Sequence, residues 1–242
     1  MVRQSQISMF FLFGAVIVIA AALLIYLRQD TTRANYISTD TYLISLIRNC
    51  LQETAKDSVD YINLHGGYYI VPDPKTVYLS DDVPFYNYNG KNSAPSIAVI
   101  ENEISAYVKG KMPDCVNGLS GIRGIEAEGD IKSVNSVMGD ESIKIEANYP
   151  IKITSGDSTR TISEFNAQVN SRIKKIYGVA GQIAAQKIAD GSLCADCLTG
   201  MAEANNLRID VVLSGKDGYV LSIFDNATDS LENYNIFTFA LS

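Results

Sequence analysis

The period of the hydrophobic positions changes several times along the chain. From Ile7 to Leu27 they are nearly continuous, 21 residues without a charge. At about 1.5 Å per residue that run makes a helix of about 30 Å, the thickness of a bilayer's hydrocarbon core. A polar linker, residues 29–35, follows. Leu43, Ile47, Cys50, Leu51, Ala55, Val59 and Ile62 then recur mostly at threes and fours, which predicts a helix with one buried face. Ser38, Thr39 and Asp40 offer N-caps, and His65-Gly66-Gly67 ends it. Tyr68 to Val71 reads as a short strand stopped by Pro72 and Pro74, and residues 73–96 read as a loop with a turn at Asn89-Gly90. The loop's Tyr and Asn side chains either pack down on the domain or offer a surface to sugars or proteins.

Ser96 opens a further helix on Ile97, Ile100, Ile104 and Val108, with Glu101, Glu103 and Lys109 on its wet face and Pro113 as its stop. From 119 to 169 the period becomes two, as in Ser142 to Ala147 and Phe165 to Val169. Gly129-Asp130, Gly139-Asp140 and Ser155-Gly156-Asp157 punctuate it, so this part predicts an antiparallel meander. A helix over 171–189, a short one from Cys194 to about Asn205, and strands at 207–214, 219–224 and 236–241 complete the chain, with Lys216-Asp217-Gly218 turning the first strand pair. The order predicts an α+β fold: an N-terminal transmembrane helix, then an ectodomain of amphipathic helices packed on antiparallel sheet. The expected organisation is a head at 1–5, the span at 6–28, the linker at 29–35 and an extracellular domain at 36–242, with 36–118 and 119–242 as its possible subdomains.

The apolar run is read as a span rather than a cleaved secretory signal. It exceeds the short core of such a signal, and Tyr26-Leu27-Arg28-Gln29 lacks the small residues of a cleavage site. Tyr26 and Arg28 suit a membrane interface. Arg3 and the amino terminus lie before the run, and Arg28 and Arg33, offset by Asp30, lie after it, so flanking charge is close to neutral on orientation. The short head and the cysteines behind the run place the amino terminus inside and the domain outside. Gly14 and Ala20-Ala21-Ala22 would also let this helix pack closely on partner helices.

Composition narrows the chemistry. With 20 basic and 27 acidic residues the net charge is −7, which repels phosphate backbones and argues against a nucleic-acid partner. No polybasic cluster flanks the run. There is one histidine, His65, so histidine-based catalysis and multi-imidazole metal sites are nearly excluded by count, and His65 reads as a helix-terminus residue. Acidic pairs such as Asp81-Asp82 and Glu101/Glu103 have no facing partners in the pattern. No catalytic residue, cofactor-binding residue or metal ligand set is expected.

The four cysteines, Cys50, Cys115, Cys194 and Cys197, all lie beyond the run. An even count in an exported domain points to disulfides. Three pairings exist; Cys50–Cys115 with a local Cys194–Cys197 is the favoured one. The alternatives are free thiols in a cytosolic domain, a four-thiolate zinc site, and a redox pair made by the C-x-x-C at a helix start. Asn226-Ala227-Thr228 is the N-x-S/T sequon, a glycan candidate if the domain is outside. The oxygens from Asp225 to Ser230 read as a solvated turn; calcium binding is the alternative, against which stands the absence of an EF-hand loop's glycine and spacing.

The head Arg3-Gln4-Ser5-Gln6-Ile7-Ser8 resembles the amino terminus of archaeal type IV pilin-like proteins. That resemblance implies a peptidase cut between Ser5 and Gln6 and an apolar helix that assembles as a filament core. Gln4 separates Arg3 from Ser5, and Phe10 stands where bacterial pilins carry a Glu; an uncleaved signal anchor is the alternative. Asn49-Cys50-Leu51, Gly66-Gly67-Tyr68, the Pro95-Ser96 helix ending near Cys115, and Ile236 to Ala240 together resemble membrane-anchored proteins of small-genome archaea, which implies a location and no activity. The sequence thus predicts a membrane-anchored cell-surface protein that works by structure or interaction and is not an enzyme. Its expected partners are membrane lipid, copies of itself through the apolar helix, and an extracellular protein or glycan. The rival readings are an exported thiol–disulfide oxidoreductase and an accessory subunit of a membrane complex.

Overall fold

The computed structural model describes residues 18–19, 22–23, 41–119, 122, 124–214, 218–227 and 236–242. Ser5, Gln6, the linker, the caps at 38–40 and most of the apolar run lie outside the described residues. Within the run, Val18, Ile19, Ala22 and Leu23 are helical and exposed. Among the described residues no helix is long and apolar enough to cross a membrane.

Helix α1 covers residues 41–64. Its Leu43, Ile47, Leu51, Ala55, Val59 and Ile62 are all buried, as the spacing requires. The Gly67 amide donates to the Ile62 carbonyl at 2.8 Å and closes the helix. Gly66 is needed twice over. Its φ is +56°, and a Cβ there would lie 2.6 Å from Pro84 and 2.7 Å from the Thr238 carbonyl. Residues 68–71, expected as a strand, are irregular, and the first two amides bond to the end of α1 and to a side chain of the next helix. The Tyr68 amide donates to His65 and the Tyr69 amide to the Glu103 carboxylate at 2.8 Å.

Helix α2, Ile97–Gly118, is capped by Ser96, whose hydroxyl accepts from the Val99 amide. Ile100, Ile104, Val108, Met112 and Val116 form its buried stripe. Pro113 does not stop it. The ring costs about 3 kcal/mol inside a helix, but buried Met112 and Val116 flank it and Cys115 is bonded to Cys50 of α1. Packing and a covalent tie hold the last turn. Cys50 meets Cys115 while Tyr61 meets Tyr107 at 5.3 Å, so the two helices run antiparallel.

The meander is present. Strands β4 (Ile125–Ala127), β5 (Ser133–Met138), β6 (Ser142–Ser155) and β7 (Ser158–Asn170) form an antiparallel sheet. β7 follows β6 from end to end, and β5 and β4 share its other edge. Ile143, Ile145, Ala147, Tyr149, Ile151 and Ile153 of β6 alternate into the core. α2 docks on β5: Ser105 donates to Ser136, and the Glu101 carboxylate accepts the Met138 amide at 2.8 Å. Glu101 and Glu103 are therefore half-buried struts rather than a wet face.

The second sheet corrects the loop expected at 73–96. Three strands lie there, β1 (Lys75–Tyr78), β2 (Asp81–Tyr88) and β3 (Lys91–Asn92), and they join β8 (Leu207–Ser214), β9 (Gly218–Asp225) and β10 (Ile236–Leu241) in the order β1-β2-β10-β9-β8, with β3 beside β2. Asn89 and Gly90, both at positive φ, turn β2 into β3. Pro84 stands where β2 passes from its pairing with β1 to its pairing with β10. β2 and β10 are parallel, so this sheet is mixed rather than purely antiparallel. Helix α3, Ile173–Asp190, covers β2 and β10, and Tyr86, Phe237 and Phe239 pack beneath it. Helix α4, Ala195–Asn205, packs on β8. One hydrophobic core runs through both sheets and the helices.

Candidate functional site

The C-x-x-C sits where α3 hands over to α4. Gly191 takes the left-handed conformation and ends α3. The Lys187 ammonium donates to the Gly191 carbonyl at 2.8 Å and lies 5.8 Å from the centre of the Tyr219 ring. Three residues on, Cys194 is the N-cap of α4, and its Sγ accepts the Cys197 amide at 3.2 Å. Cys194 and Cys197 form a disulfide, and both residues are half-buried. Backbone N–H groups of a first helical turn favour negative charge on such a sulfur. Asp196 beside it is exposed to water.

The other end of α4 is locked by a buried ion pair. Arg172 donates to Asp225 and to the Asn205 carbonyl, both at 2.8 Å. The Asp225 side chain is fully buried and also accepts the Ala227 amide at 3.0 Å. Asn206, in the left-handed conformation, then turns the chain straight into β8.

A second concavity lies on the sheet face away from α3. Val83, Val220 and Ala240 form a small cluster there under Tyr78 and Phe85. The sheet curls, so that Thr76 on β1 comes within 3.4 Å of Ser214 at the end of β8. Beside the cluster is a half-open cleft of about 130 Å³, walled by Leu64, Tyr78, Phe224 and Ile236, with Ser222 and Thr238 among its lining. Leu79 and Ser80, at φ of 50° and 77°, make the β1–β2 turn at its rim, and Leu79 is 80% exposed.

His65 lies close to this rim, with Nε2 3.9 Å from Asp81. Its Nδ1 is 2.7 Å from the Tyr61 carbonyl and its ring stacks on Tyr61 at 4.0 Å. It is placed as a helix-terminus residue. Tyr61, Tyr69 and Tyr107 pack on one another along the α1–α2 seam. Burial raises the Tyr61 and Tyr107 phenol pKa values above the ordinary one, and nearby tyrosines and aspartates add to it.

The structure joins Cys50 to Cys115 and Cys194 to Cys197. A four-thiolate zinc site does not form, because the cysteines are committed to two separate pairs. Among the described residues no group of three or more metal-ligating side chains converges. Asn226 is exposed in the turn after β9, and Thr228 lies outside the described residues. Asp225 is not a solvated turn oxygen; it faces inward to Arg172. Asp82 is paired with Lys75 at 2.7 Å. Sequence reasoning missed the Arg172–Asp225 lock, the Lys187 corner and the cleft, which are made by residues distant in the chain and carry no local signature. Comparison with protein families, characterised proteins and solved structures finds no match.

Proposed function

We propose that this is a membrane-anchored cell-surface protein whose exported α+β domain acts by structure or interaction, with the apolar run Ile7 to Leu27 as its anchor and, after cleavage between Ser5 and Gln6, as the core of a pilin-like assembly. The observation that carries the reading is the Cys50–Cys115 disulfide. A bond that closes so long a loop persists in oxidising compartments and is rare in the cytosol. It also sits where an anchored domain needs it. Cys50 lies in the first described turns of α1, the helix that follows the apolar run, and Cys115 lies near the end of α2, which docks on the meander. Tension along the anchor passes through the disulfide to α2 and β5 instead of peeling α1 away. Membrane lipid, further copies of the chain and an extracellular protein or glycan are the partners this implies.

Mass spectrometry of the protein from its native membrane tests it. A mature chain beginning at Gln6 is expected for the assembling form, and an intact Met1 overturns that part. Protease applied to intact cells should remove the domain. A domain that survives shaving, or native cysteines that are all reduced, overturns the exported topology.

A further inference from the structure

We propose that Cys194–Cys197 is a thiol–disulfide exchange site and that the neighbouring end of β8 docks its substrate, an extended peptide segment carrying a pair of thiols. Three features meet there. Both of its cysteines are half-buried, whereas in the other pair Cys115 is half-buried and Cys50 is only 4% exposed. The Cys197 amide already points at the Cys194 sulfur, at 3.2 Å, and the Lys187 ammonium is fixed to the same corner through Gly191. The amide favours Cys194 as a departing thiolate.

The third feature is the sheet edge. β8 is an outer strand. Its first half is guarded by charge, with Arg208 and Asp210 in contact at 3.4 Å. Its second half is not: Val211 and Val212 are each 41% exposed and Leu213 is 75% exposed. Among the described residues no strand pairs with the outer side of β8, and Thr76 of β1 touches it only at Ser214; an apolar edge without a paired strand is a template for an added one. The helix that carries the disulfide, α4, packs on this strand. α4 turns into β8 through Asn206 alone and packs along it. At about 1.5 Å per helical residue against about 3.3 Å per strand residue, the start of α4 falls level with Val211 to Leu213. Independently, Lys187 links the α3–α4 connection to Tyr219, the cross-strand partner of Leu213.

The exchange balances as follows. A substrate thiolate attacks Cys197 Sγ; a new S–S bond forms, the Cys194–Cys197 bond breaks, and Cys194 leaves as a thiolate held by the Cys197 amide. The substrate's second thiolate then attacks the substrate sulfur of the mixed disulfide and expels Cys197, and both protein thiolates take up the protons the substrate released. The substrate leaves with a disulfide and the protein holds two thiols. A small-molecule disulfide of the oxidised glutathione class reverses the sequence and restores the site.

Exchange at this site depends on neither the anchor nor the side of the membrane. The test uses the full oxidised chain in detergent and follows opening of the site by alkylation and mass spectrometry. The probe is an extended peptide of alternating Val and Thr with two cysteines; dithiothreitol is the small comparison. The reference is an isolated peptide spanning Ser192 to Thr199 with the same disulfide. The probe should open Cys194–Cys197 in the protein at least about tenfold faster than in the isolated peptide, with Cys50–Cys115 still closed. Leu213→Asp, on an exposed position, should slow the probe several-fold and leave dithiothreitol unchanged. A protein rate no greater than that of the isolated peptide overturns the exchange site. A Leu213→Asp rate that falls equally for both reductants, or for neither, overturns the docking strand.

Discussion

Removing the two disulfides one at a time should have very different consequences for stability. Cys50 and Cys115 are 65 residues apart, and Cys194 and Cys197 are 3 apart. In the chain-entropy account the loss on opening is 2.1 plus 1.5R ln n in cal/mol/K, which at 25 °C gives about 4.3 kcal/mol for the first and about 1.6 kcal/mol for the second. The larger figure is a sizeable share of the roughly 5–15 kcal/mol that holds an ordinary domain folded. The perturbation is Cys50→Ala with Cys115→Ala, against Cys194→Ala with Cys197→Ala. Urea unfolding by circular dichroism reads both, and the slope should rise in the first variant because its unfolded chain is free to expand. A gap of about 2.7 kcal/mol between the variants is expected. If the first variant loses under about 1 kcal/mol, or no more than the second, loop closure is not what the long disulfide contributes and its role as the tie between α1 and the domain fails with it.

Arg172→Met should cost about 3–5 kcal/mol, because it leaves the fully buried Asp225 carboxylate without its cation; pairing it with Asp225→Leu should recover most of that in a thermal melt. Burial holds the Tyr86 phenol well above its ordinary value of 10.0. Its contribution is complete below that value and is lost as pH rises past it, since the unfolded chain ionises first. Tyr86→Phe should flatten the alkaline fall in stability by up to about 1.4 kcal/mol per pH unit, while losing about 1 kcal/mol from the bond to the Gly66 carbonyl. Ser80→Gly should stabilise by about 1 kcal/mol, because φ of 77° strains a residue with a Cβ; an unchanged midpoint would mean the turn is not strained there.

Most of the fold is legible in local pattern, and the failures share one cause. Helix α1, the meander and α3 could be read because their apolar positions hold one period over many residues, so burial of one face decides the structure. Residues 73–96 misled because β2 reads Asp-Asp-Val-Pro-Phe-Tyr-Asn-Tyr, with turn formers inside a strand. Nothing nearby shows that Tyr86 would be fully buried or that β10, some 150 residues later, would supply the parallel partner. Pro113 misled in the other direction: propensity ends a helix there, and the bond to Cys50 overrides it. The pairing of the cysteines followed from compartment and spacing, but the half-guarded edge of β8 did not. Val211, Val212 and Leu213 read only as part of a strand over 207–214, and the sheet order places them on the outside.

The two cysteine pairs thus separate by where they stand. Cys50–Cys115 joins two helices across a long loop, with Cys50 in the core and buried Met112 and Val116 on either side of Cys115 in sequence. Opening it releases much chain, and its Cys50 half is shielded in the core while Cys115 is half-buried, so its resistance to opening is mainly entropic. Cys194–Cys197 closes one helical turn, and the end of α4 away from it is already locked by Arg172 to Asp225 and Asn205. Opening it therefore frees little chain, and α4 stays in register on β8. A disulfide that can open without loosening the fold, on a helix packed against an outer strand with exposed apolar side chains, is suited to exchange; one whose opening loosens the domain is suited to hold it. The Arg172 lock also bears on the exchange site. With the lock gone, α4 can shift on β8, and the advantage of the extended probe over dithiothreitol should shrink even at temperatures where the domain stays folded. An advantage that survives Arg172→Met would show that the α4 lock does not set the alignment of disulfide and edge.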